Sequence, residues 1–343
     1  MNPQTVSLSK LITSYSLLLT PYSLLIRFLS LSLLMTNLNF FTDYLISSLH
    51  LSIPLAYAAL GGMFSERSGV LNIALEGMLI TGAFTSAAVT LLTGNVWLGL
   101  FAALVAGGMV GLLHAVLCVS LRVDQLVSGL AINLVAAGMT SFLARLMSDI
   151  STQQLPGFSA ITIPFLANIP ILGSLLFKQD ILVYLLFILV VFSTYFLFYT
   201  HPGLTLRAVG EYPKAVDTAG ISVQKVRYLA VITSGCLASL GGTYLVVAHI
   251  KFFDEGISAG KGFIAIAALI FGKWHPIGTA FACLLFGATE ALQLRVQALS
   301  VNIPYQFLTM LPYAIALFTL LGRFGKSSPP SSLGIPYFRE GEK

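Results

Sequence analysis

Ser68-Gly-Val-Leu-Asn-Ile-Ala-Leu-Glu-Gly77 carries a carboxylate into an apolar run that continues to about residue 92. Glu76 follows Asn72 by four residues, a spacing that places both on one side of a helix. A charge at that depth costs at least about 2.5 kcal/mol in hydrocarbon, so it is expected to face protein or water. Working outward, bilayer-length runs of the same kind recur on both sides of this stretch. The chain reads as a membrane protein that moves or gates something polar.

Composition agrees. Hydrophobic residues make up 57% of the 343, charged residues only 9%, and the mean hydropathy is +0.89. A soluble domain carries roughly 25% charged residues, so a soluble globule is excluded. Nearly charge-free runs of about 20 residues select helical spans over the ten-residue alternation of a β-barrel. Cys118, Cys236 and Cys283 lie far apart in apolar runs. They show no metal-ligand spacing and read as unpaired thiols. The formal charge of +5 is spread over short loops, which fits membrane orientation and not nucleic acid.

Apolar runs between polar breaks predict spans near 42–64, 70–92, 96–121, 125–147, 180–200, 228–250, 277–297 and 303–321. The piece 262–272 is too short to cross at about 1.5 Å per residue unless Ala259 to Lys261 extend it. Orientation follows Lys and Arg. Placing Arg207, Lys214, Lys225 and Arg227 in the cytoplasm with Arg323, Lys326, Arg339 and Lys343 also places Arg67, Arg122 and Lys273 there, provided that 259–272 crosses. Arg145, Lys178, Lys251, Lys261 and Arg295 fall outside, together with the Pro-rich loop 149–180. Residues 1–34 are rich in Leu, Ser and Thr and interrupted by Arg27. They read either as an extra span or as an extension before a start at Met35. The fold class expected is an all-α integral membrane protein of about nine to ten transmembrane helices. Residues 35–323 would form the transmembrane domain and 324–343 a cytoplasmic tail. Gly69-Val-Leu-Asn-Ile-Ala-Leu and Gly262-Phe-Ile-Ala-Ile-Ala-Ala enter from opposite sides and echo one another, the pattern of an inverted repeat with broken helices.

Glu76 and Glu290 are the acids expected well inside spans, and Gln293 follows Glu290 by one turn. Gln125 and Asn133 are eight apart and share a helix face. Asn72, Glu76, Asn133, Glu290 and Gln293 are therefore candidates for a polar pathway. For each, hydrogen bonding to a neighbouring helix is the alternative. Gly107-Gly108 and Gly241-Gly242 read as close-packing sites. The loop from Pro202 to Ile221 is the most distinctive. Pro213 suits a helix start and Gly220 a stop, and a short helix held between two spans can be pushed by a cytoplasmic partner. No catalytic set, metal cluster or bound cofactor is expected. Gly325-Lys326-Ser327 lacks the earlier Gly of a phosphate loop, because Leu320 stands in its place.

Glu66 to Gly77, Leu206 to Glu211 with Ala219 to Ile221, and Phe263 to Gly272 with Trp274, Pro276 and Gly278 together resemble the permease subunits of nucleoside-type ABC importers. These group with ribose-like and branched-chain amino-acid permeases. The resemblance runs from about Met35 to Arg323. It implies a second permease chain, the same or paralogous, and cytoplasmic ATPase subunits that use ATP. It further implies an extracytoplasmic solute-binding protein or lipoprotein and a bacterial-type inner membrane with a cytoplasmic C-terminus. Arg207, Gly210, Glu211, Pro213, Lys214, Asp217, Ala219 and Gly220 would then form the ATPase-coupling loop. The solute would be a nucleoside or related hydroxylated molecule, with a simple sugar or branched-chain amino acid as alternatives. An ion-coupled transporter using Glu76 and Glu290 is the reading from another class.

Overall fold

The computed structural model describes residues 40–164, 166–169, 171–298, 306–307, 310–311, 314 and 328–339. Seven of its helices are long and apolar enough to cross a membrane. They are α1 (Phe40–Arg67), α2 (Leu75–Thr93), α3 (Val96–Ala115), α4 (Gln125–Leu146), α6 (Ile181–Tyr199), α9 (Val223–Thr243) and α11 (Pro276–Ala298). Shorter helices are α5 (Leu172–Leu176), α7 (His201–Glu211), α8 (Pro213–Thr218) and α10 (Lys261–Phe271). π-helical turns prolong α3 over Val116–Ser120 and α9 over Tyr244–His249. A two-residue pairing of β1 (Ile161–Thr162) with β2 (Lys178–Gln179) sits in the long loop before α6.

The seven long helices answer seven of the expected spans. The expected spans at 303–321 and in the 1–34 extension lie wholly or largely outside the described residues. α10, at 11 residues, covers about 16 Å and reaches only part of the way across.

The core forms where α1, α2 and α9 meet; these are the most buried of the long helices, whereas α3, α4, α6 and α11 turn apolar faces outward. Backbones approach closely at small residues. A Cβ on Gly235 would lie 2.1 Å from Gly107 O, and one on Gly242 would lie 2.0 Å from Leu79 O. The expectation that the paired glycines serve packing holds at Gly107 and Gly242.

Helix starts follow local chemistry. Asn95 caps α3 through Trp97 N, Asp124 caps α4 through Leu126 N and Val127 N, and Ser222 caps α9 through Lys225 N. α2 and α10 begin instead on Ala74 and Gly260, which bring no side-chain cap of their own. The start of α2 corrects one expectation. The helix opens at Leu75, so Asn72 precedes it and shares no helical face with Glu76. Gly69 takes φ +90°, and the Asn72 side chain turns back onto Ala74 N at 3.1 Å. Both oppose a helix there. The echo between 69–75 and 262–268 likewise pairs a mostly irregular segment with a helical one.

Candidate functional site

Residues 68–74 link α1 to α2 outside either helix. Ser68, Gly69 and Val70 N–H bond back to the end of α1 and Ala74 O accepts from Met78 N, and the peptide groups between need other partners. Side chains from several elements supply them. Arg227 Nε donates to Ser68 O at 3.2 Å, and Ser65 Oγ donates to Val70 O at 2.8 Å. Leu71 N donates to Gln125 Oε1 at 2.7 Å, while His114 Nε2 lies 3.1 Å from Leu71 O. Asn133 does double duty. Its Nδ2 donates to Ile73 O at 2.9 Å and its Oδ1 accepts from Gly77 N at 2.7 Å. Asn72 Nδ2 donates to Ser234 Oγ at 2.8 Å. Gln125 and Asn133 thus use one face of α4 on one segment, as their spacing requires.

Glu76, in the first turn of α2, reaches the other uncapped start. Its two carboxylate oxygens accept from Gly260 N at 2.9 Å and Gly262 N at 2.6 Å. A negative group there also suits the positive end of the α10 dipole. The approach is close: a Cβ on Gly262 would stand 2.4 Å from Glu76 N. Lys261, the first residue of α10, pairs with Glu290 of α11 at 2.6 Å. Gln293 lies one turn further along α11 and is half-buried. Glu76 and Asn133 therefore meet around residues 73–77, while Glu290 belongs to a second polar group near the start of α10.

That second group contains residues the sequence did not single out. His50 Nδ1 is hydrogen-bonded to Tyr244 Oη, and His249 lies beside both rings.

At the opposite end of α10, Trp274 Nε1 donates to Glu66 Oε2 at 2.6 Å, and Arg67 donates to Trp274 O through Nε and Nη2 at 3.0 and 2.8 Å. Phe198 stacks on His275 at 4.9 Å, with the Arg207 guanidinium also 4.9 Å from its centroid. Burial, and then the nearby Arg67 charge, hold His275 below its ordinary value of 6.5.

The coupling-loop candidates divide into two sets. Gly210 is buried and packs on the end of α1, where a Cβ would lie 2.2 Å from Arg67 O. Arg207 is half-buried over Phe198. Lys214, Ala219 and Gly220 are exposed, and Pro213 opens α8. The described tail crosses this face. Ser332 N donates to Gly210 O at 2.8 Å and Gly334 N to Gly69 O at 3.1 Å. Ser331 Oγ donates to Glu211 Oε2 at 2.8 Å, and Arg339 lies 3.4 Å from Asp217. A polar cleft of about 170 Å³ opens between α8, the start of α9 and Tyr337.

A bundle of apolar helices with two helix starts inside it, and short helices laced across one end, defines a multi-pass membrane permease. The chain belongs to the family described as branched-chain amino acid transport system / permease component, whose model matches residues 44–320. It is 42% identical over 297 residues to the guanosine ABC transporter permease protein NupQ of Bacillus subtilis, covering 83% of this chain and 93% of that one. It is 37% identical over 301 residues to the nucleoside ABC transporter permease protein NupC of Lactococcus lactis subsp. cremoris, covering 84% and 94%. A putative glucose ABC transporter permease protein of Haloferax volcanii, TsgC13, is 36% identical over 267 residues, covering 77% and 80%. No solved structure matches.

Proposed function

We propose that this chain is the membrane-spanning subunit of an ABC importer for nucleosides or related small hydroxylated solutes. The relatives named for guanosine and nucleosides, each matched over more than nine-tenths of its length, support the solute class. The observation that carries the mechanism is the lacing of α7 onto residues 67–70. Gly210 packs on Arg67 O, and the tail bonds Gly210 and Gly69 together. A push on the exposed face of α8 is delivered to the start of α2 through backbone contacts, and α2 in turn holds the start of α10 through Glu76.

In this reading the α7–α8 end faces the cytoplasm of a bacterial-type cell, the tail lies on the same side, and ATPase subunits that consume ATP dock on Lys214, Ala219 and Gly220. A second permease chain completes the pathway, and an extracytoplasmic binding protein delivers the solute. Rigid-body movement of α7 and α8 switches the access of the pathway. The test is ATP-driven uptake in proteoliposomes after Ala219→Trp, which alters the exposed face and leaves the buried Gly210 contact alone. Loss of ATPase co-purification and of uptake is expected; normal association and uptake would overturn the docking role.

The glucose-permease relative favours a simple sugar as the second reading, and competition by glucose against guanosine separates the two. Uptake by this chain alone, driven by an ion gradient, would sink both in favour of a secondary transporter.

A further inference from the structure

The region where α1, the π-turn at the end of α9, the start of α10 and α11 come together gathers polar groups that no role above consumes. The His50 and Tyr244 ring centroids lie 6.4 Å apart at an interplanar angle of 10°. His50 and His249 lie 5.9 Å apart at 22°, and Tyr244 and His249 lie 6.2 Å apart at 15°. The three ring planes are thus nearly parallel. Tyr244 is fully buried and hydrogen-bonded to His50, while His249 is exposed. His249 also lies within electrostatic range of Lys261, Glu290 and Asp180.

The backbone is adapted to make this group. In an α-helix, residues five apart point about 140° away from each other. The π-helical turn over Tyr244–His249, closed by Ile250 N on Leu245 O at 3.0 Å, stacks such residues instead, and π-turns recur at functional sites. It brings Tyr244 and His249 to the same side. The charged side chains nearby already have bonding partners. Glu290 holds Lys261, Glu76 holds the amides of Gly260 and Gly262, and Asp180 accepts from Leu182 N and Val183 N at 2.9 and 3.2 Å. An anionic solute would find Lys261 already paired. A neutral one would find the His249 and His50 imidazoles, and polar groups held inside a membrane bundle are expected to face protein or water.

We propose that His50 and His249, with the buried Tyr244 holding His50 in place and the Lys261–Glu290 pair at their border, form the solute-contact site of the pathway. The site takes a neutral molecule that carries a flat ring and hydroxyl groups. The ring lies against the exposed His249 imidazole, as bases do on aromatic side chains, and the hydroxyls meet the imidazole nitrogens and the ion pair. This deepens the transport reading above and rests on it.

The experiment uses the assembled transporter in proteoliposomes, with ATP inside and saturating binding protein outside, and tritiated guanosine, glucose and leucine as probes. His50→Ala and His249→Ala are each expected to cut guanosine uptake at least five-fold, with complex yield and basal ATP hydrolysis at wild-type levels. 8-Azidoguanosine is expected to photolabel this chain in the wild type and to lose that label in His249→Ala. Wild-type uptake of guanosine together with unchanged uptake and labelling in both variants would overturn the site and leave the transport reading intact. Uptake of leucine alone by the wild type would overturn the nucleoside reading and the neutral-solute site together. Uptake of glucose alone would overturn the nucleoside reading, and the same two variants, scored with glucose, would then decide the site.

Discussion

The starts of α2 and α10 pose one problem: both helices begin inside the bundle, where the first amide N–H groups have no helical partner. At α2 the remedy is distributed. Asn133, Asn72, Gln125, His114 and Arg227 each satisfy one or two groups of residues 68–77. At α10 the remedy is concentrated in Glu76, which serves Gly260 and Gly262 with its two oxygens. A distributed solution gives a rigid foundation that degrades by degrees. A concentrated one makes the position of α10 depend on a single side chain, and through it on the first turn of α2.

Breaking the concentrated site should cost most. Glu76→Ala leaves two amides unanswered and should destabilise the chain by about 3–6 kcal/mol, at roughly 1.5–3 per charge-assisted bond. Thermal unfolding in detergent checks this, and a melting temperature equal to wild type would show that the carboxylate does not hold α10. Glu76→Gln keeps one acceptor and should lose about half as much. The distributed site should respond more mildly: Asn133→Ala should cost about 2 kcal/mol, because the other side chains remain in place. If the two alanine variants cost the same, the contrast between the two starts fails.

Smaller effects test the outer parts of this arrangement. His275 sits below its ordinary value of 6.5, so the unfolded chain takes up the proton more readily than the folded one. Its contribution is therefore complete above pH 6.5, is lost as the pH falls through 6.5 toward the lower folded value, and is then constant. His275→Gln should flatten the stability profile just below pH 6.5, which a melting series at constant ionic strength reads. The smallest effect is expected at the Arg145–Glu255 pair, bonded at 2.9 and 3.0 Å and exposed. Arg145 holds Glu255 below the usual carboxylate range. Its interaction is screened by solvent, and Arg145→Ala should leave the melting temperature within error.

Much of the fold was legible because lipid demands long apolar runs, and such runs announce themselves. The site was legible only where spacing along one helix carries the information. Gln125 and Asn133 are eight apart on α4 and reach one segment. Asn72 and Glu76 kept the right spacing for a helix, but Gly69 and the turn of Asn72 onto Ala74 N removed the helix. Tyr244 and His249 escaped notice because five residues is the wrong interval on an α-helix and the right one on a π-turn. Lys261 stood at the edge of an apolar piece and gave no sign that Glu290, on another helix, would hold it. The tail contacts were invisible because they rest largely on backbone atoms, which every residue owns.

Those tail contacts fix how far the chain's length can vary. Ser331 is tied to Glu211, Ser332 to Gly210, Gly334 to Gly69, Ile335 to Arg227 and Arg339 to Asp217. Each tie sets a register. Removing one residue between Ser332 and Ile335 would force every later tie to shift by about 3.3–3.6 Å, more than a hydrogen bond can follow. Substitutions of side chain at Leu333 leave the register untouched. In this short segment spacing is constrained throughout, and identity most at Gly334, whose φ of +77° favours glycine.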